Sequence, residues 1–90
     1  MKSFQASLAI AERLAQADPG NAGWQRDLSI SLGRVADTLL KLGRMAEARP
    51  LAERALANLR SAIARMPDDP RLARDLAYFE GLVRRSGGAP

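Results

Sequence analysis

The chain has 90 residues with no cysteine and no histidine, which excludes disulfides, thiol chemistry, zinc–cysteine sites and histidine acid–base catalysis. Apolar residues make up 47% and aromatic ones only 4%; this alanine- and leucine-rich balance favours helices over sheets, because these side chains lose little freedom in a helix. Fourteen basic residues, twelve of them arginine, against ten acidic ones give a net charge of +4 on what reads as a mixed, solvated helical surface.

The first helix is expected over residues 3–17. Phe4, Leu8, Ala11 and Ala15 recur at helical spacing, and Ile10 and Leu14 widen the stripe. Glu12 and Arg13 interrupt any apolar core of signal-peptide length, and no run approaches a spanning helix. A cytoplasmic protein without a membrane segment is expected. Asp18-Pro19-Gly20-Asn21 then ends the helix, with Asn21 as the cap of the next.

The second helix is expected over residues 22–42. Trp24, Leu28, Leu32, Val35, Ala36, Leu39 and Leu42 share one side, with Leu40 at its margin. Arg26, Asp27, Arg34, Asp37 and Lys41 take the other, and Asp37–Lys41 has the favoured acid-first spacing. Trp24 is read as a packing anchor. Gly43 is the stop signal.

The third helix is expected over residues 45–66, with Ala48, Leu51, Ala52, Ala55, Leu56, Leu59, Ala62, Ile63 and Met66 as its apolar arc. Pro50 predicts either a regular helix starting nearer Arg49 or a bent first turn. The fourth helix is expected over residues 70–85. Asp69 caps it and Pro70 takes the first helical position, where no amide donor is needed. Leu72, Leu76, Phe79 and Val83 mark its buried side; Arg71–Asp75 and Glu80–Arg84 are spaced as local ion pairs. Residues 86–90 read as a flexible tail. Short loops and the absence of period-two alternation predict a single all-α domain of four antiparallel helices.

The chain echoes itself at an offset of forty-eight residues. Pro19 aligns with Pro67, Arg26-Asp27-Leu28 with Arg74-Asp75-Leu76, Gly33 with Gly81, and Val35 with Val83. Leu32, Val35, Ala36 and Leu39, followed by Ala48, Ala52 and Ala55, fall at the spacing of the tetratricopeptide signature. On these residues the chain resembles the tetratricopeptide-type (TPR-like) helical repeats. "DPGNAGWQRDLS" is similar to the linkers of long-repeat bacterial arrays of that kind. The departures are a longer repeat than the common unit of about 34 residues, and Leu32, Ala36, Leu39 and Ala52 where Trp, Gly, Tyr and a bulky aromatic are usual. The resemblance implies stacked helix-turn-helix hairpins, a solenoid fragment holding one complete pair between two half-units.

No catalytic constellation is visible. The serines lack a histidine and a Ser-x-x-Lys spacing, and the glycines form no phosphate loop. Asp68-Asp69 reads as a helix cap rather than a metal site. The expectation is a non-enzymatic module with no cofactor and no metal. Carried over from the resembling family, the first helix of each pair lines a groove for a protein or peptide. This nominates Ile30, Arg34, Asp37 and Lys41, with Tyr78, Leu82 and Arg85. The Lys and Asn pattern with which some members grip a carboxyl terminus is not matched. Self-association through the terminal helices, with Phe4, Leu8, Phe79 and Val83 as contacts, is the alternative. Nucleic acid binding through Arg60, Arg65, Arg71, Arg74, Arg84 and Arg85 is disfavoured by the interspersed acids and the few aromatics.

Overall fold

Four α-helices account for nearly all of the computed structural model, which describes residues 2–18 and 20–87, with backbone alone for residues 2–5 and 7. They are α1 (Lys2–Ala17), α2 (Ala22–Lys41), α3 (Met45–Arg65) and α4 (Pro70–Arg85). No strand occurs among the described residues, so the fold is all-α. Pro19 and the side chain of Phe4, to which the sequence assigned roles, lie outside what is described.

The boundaries of α2 have local causes. Asn21 accepts a hydrogen bond from the Trp24 amide at 3.2 Å, satisfying one of the open donors at the start of α2. α2 ends in a paired-turn cap: the Gly43 amide donates to the Leu40 carbonyl and the Arg44 amide to that of Leu39. This turn requires the left-handed conformation that Gly43 adopts, with φ of 76°. α3 then starts at Met45 and runs unbroken through Pro50, so the start expected near Arg49 is not found. Pro50 is exposed, where water meets the carbonyl that the missing amide would have served.

Consecutive helices pack on each other, and α4 additionally packs on α2. Near-contacts between Gly20 and Arg65, and between Gly87 and Met45, bring opposite helix ends together, as an antiparallel arrangement of α2, α3 and α4 demands. α4 therefore runs in the same direction as α2. Arg26 and Asp75, Gly33 and Phe79, and Asp37 and Arg85 meet in ascending order along the two helices. An ion pair of 2.9 Å from Arg54 to Glu12 ties α3 to α1. The overall extents are 34 × 29 × 16 Å.

The core centres on the seam of α2 and α3, with α1 and α4 contributing from either side. Leu32, Ala36, Ala48, Ala52, Ala55, Leu59, Ala62 and Leu82 are completely buried. Alanine dominates the α3 side, so the backbones of α2 and α3 approach closely and leucines from both fill the seam. Several expected core residues lie outside it. Leu42 and Met66 are exposed because each falls past the last helical turn. Ile10 and Leu14 are exposed on the side of α1 turned away from α2. Trp24 is partly buried and packs against the core at the entry to α2. Ser86, expected in a loose tail, is buried, and its hydroxyl donates to the Leu82 carbonyl at 2.8 Å.

Ser29 is the unsatisfied polar group of this core. It is fully buried and its hydroxyl has no hydrogen-bond partner. Such a group costs desolvation without return, and alanine is also the better helix former. Ser29→Ala should therefore stabilise the domain by about 1 kcal/mol; denaturant titration yielding equal or lower stability would show that the hydroxyl is satisfied after all.

Candidate functional site

α2 and α4, lying side by side, carry all the nominated binding residues. Their seam is stitched by charge. Arg26, in the first half of α2, donates from Nε to Oδ2 of Asp75 at 2.8 Å. Both side chains are about three-quarters buried, so solvent screens this pair less than the exposed ones. At the other end, Asp37 draws Lys41 to 3.1 Å and Arg85 to 3.8 Å.

The structure thus gathers Asp37, Lys41 and Arg85 from two helices into one cluster. Arg34 is exposed and stands apart from it. Ile30, nominated for the groove, is partly buried and packs against the core. Tyr78 is half-exposed and meets Phe79 edge-on, with ring centroids 5.3 Å apart. Leu82, nominated for the groove, is completely buried and offers no side chain to a partner. Phe79 and Val83, named as contacts for self-association, are also in the core. All three face inward because α4 packs on two helices at once.

The ion pairs differ from the local ones expected on α4. Asp75 pairs with Arg26 rather than Arg71, and Glu80 approaches Arg60 of α3 at 3.9 Å rather than Arg84. Arg71 turns back to Asp69, which accepts from the Arg71 amide at 2.9 Å and from its guanidinium at 2.8 Å. The guanidinium, which also donates from Nε at 3.2 Å, is the main reason, with the amide bond second, that the Asp69 carboxyl is held at about 2, below its usual 3.8. Because the folded-state value is the lower one, the stabilisation is complete above the ordinary value and is lost as pH falls through about 2. Asp69→Asn keeps a capping oxygen but removes this titration. Its melting temperature should therefore fall less than that of the parent protein on acidification, whereas parallel curves would show that the cap contributes nothing to acid sensitivity.

Beside the Arg26–Asp75 pair lies an open cleft of about 270 Å3, lined by Arg26, Arg71, Arg74 and Asp75. Sequence reasoning did not find this cleft. Its signal was the repeated Arg-Asp-Leu, since the Arg of the first copy holds the Asp of the second. No cluster of carboxylates that could hold a metal occurs among the described residues, and no helix there is long and apolar enough to cross a membrane. No family model, curated protein or solved structure matches the chain.

Proposed function

We propose that this chain is a non-enzymatic protein-interaction module, built of stacked helical hairpins of the tetratricopeptide type, that binds a protein or peptide through its α2 and α4 faces. The observation that carries this reading is the seam between α2 and α4. The two helices that echo each other in sequence lie parallel, and the echoed Arg-Asp-Leu is what joins them. Stacking one copy of a unit on the next in this way is how solenoids build extended binding surfaces. Arg34 and Lys41 present exposed charge along α2, available to an acidic partner.

Crosslinking from the α2 surface, compared between the parent protein and an Arg34→Glu/Lys41→Glu variant, tests this. Partners bound through α2 should be lost with the charge reversal. Both side chains are exposed, so the fold should survive it. Equal recovery of every partner would remove the α2 face from the proposal.

Self-association is a second reading, now supported by α1 rather than by α4. Ile10 and Leu14 lie one turn apart and are 52% and 39% exposed, forming an apolar strip. Light scattering over a concentration series decides between the two, since a strict monomer at high concentration would end this alternative.

A further inference from the structure

The outer side of α4 repeats, forty-eight residues later, the side of α2 that α4 covers. Arg26, Ile30, Gly33 and Asp37 are spaced four, three and four residues apart, and so form one stripe of α2. α4 lies on that stripe: Asp75 holds Arg26, the Phe79 ring rests over Gly33, and Arg85 approaches Asp37. The same spacing places Arg74, Tyr78, Gly81 and Arg85 on one stripe of α4. Among the described residues no helix covers Arg74, Tyr78 or Gly81, while Arg85 at the end of the stripe reaches back to Asp37 and stays 56% exposed. Arg74 is exposed, without a hydrogen bond or ion pair. Tyr78 is 48% exposed. Where Gly33 has an aromatic ring against it, Gly81 has only the end of the flexible Arg84 side chain, 3.7 Å from where a Cβ would sit.

We propose that this stripe receives one more helix, parallel to α4 and supplied by a partner protein: an amphipathic helix with an acidic residue four positions before an aromatic one. The acid meets Arg74 as Asp75 meets Arg26, entering the cleft in which Arg26 and Arg71 already have carboxylates of their own. The aromatic ring lies over Gly81 as Phe79 lies over Gly33. A second acid, six positions after the ring, faces Arg85, whose side chain is 56% exposed. The acidic character of the partner follows from the two arginines on the stripe and the net charge of +4. A second copy of this chain does not fit. Its one acid-x3-aromatic spacing is Asp75–Phe79, and Phe79 is buried. The inference rests on the docking-module reading but places the contact on a different face from Arg34 and Lys41.

The test uses a fluorescein-labelled, alanine-rich peptide of about 20 residues, long enough for appreciable helicity, carrying Asp, Phe and Glu at these spacings. Anisotropy should show saturable binding that weakens as salt rises, with amide shifts centred on Arg74, Tyr78, Gly81 and Arg85. Arg74→Glu, Gly81→Leu, and Phe→Ala in the peptide should each weaken binding by about tenfold or more. Both protein positions have open space around them, and circular dichroism checks that the variants keep their helices. Failure to saturate, or indifference to both protein substitutions, would overturn the proposal. Shifts confined to Arg34 and Lys41 would overturn it while leaving the docking-module reading intact. Self-association in the absence of peptide that Arg74→Glu abolishes would make a second copy the occupant, which also overturns it. Conversely, peptide binding on α4 stands even if the Arg34→Glu/Lys41→Glu variant keeps every partner.

Discussion

Phe79→Ala should remove about 3–5 kcal/mol of stability, the range for truncating a buried aromatic side chain. Total stabilities are about 5–15 kcal/mol and small domains sit toward the lower end, so much of the chain would unfold near body temperature. Phe79 is 2% exposed and fills the gap between α4 and α2. Gly33 makes that gap possible, since a methyl group there would collide with the edge of the Phe79 ring. Ordinarily Gly→Ala inside a helix gains about 1 kcal/mol. Overpacking a closed site costs about 1–3 kcal/mol, and the ring is too enclosed to move aside, so Gly33→Ala should be a net loss. In the Phe79→Ala background the collision is gone and the helix gain should reappear. A double-mutant cycle by chemical denaturation therefore expects a coupling of more than about 1 kcal/mol. Additive effects would mean that ring and glycine do not meet in solution.

Ala52→Phe is the second large effect. Ala52 is completely buried, as are Ala48 and Ala55 on the same side of α3. Leu32 and Leu59, also completely buried, share its core where α2 packs on α3. A phenyl ring would force the two helices apart at a cost of about 3 kcal/mol or more. For a domain of this size that is a fall of roughly 12–24 °C in melting temperature. A variant melting at or above the parent temperature would show that the hairpin holds a void suited to the aromatic.

The helices were legible because their causes are local. Asn21 and Asp69 are caps with side-chain acceptors, Gly43 takes the conformation that ends α2, and the apolar spacing of Leu28, Leu32, Val35 and Leu39 defines a single buried stripe. What was not legible depends on a second neighbour. An amphipathic stripe tells of one packing partner, but α4 has two, so its buried arc widens to take in Leu82 and Ser86. Ion pairing failed in the same way. Spacing along one helix suggested Arg71–Asp75, while the lateral approach of α2 supplied Arg26 to Asp75 and left Arg71 to the cap. The echo at forty-eight residues aligned Arg with Arg and Asp with Asp. Their cross-pairing emerges only when the two helices are laid side by side.

The limited footing of α1 has a consequence for how the domain yields. Its backbone packs on α2 alone, and among the described residues it contributes Ala11 and Ala15 to the core, with Leu8 partly buried against it. With a single helix to pack on, it should peel away at a fraction of the free energy of global unfolding, and its amides should exchange with deuterium well before those of α3. Each such excursion bares the underside of α2 while the remaining three helices stay folded. A door of this kind at one end would make its opening rate, rather than the overall melting point, the quantity that sets access to that hidden face.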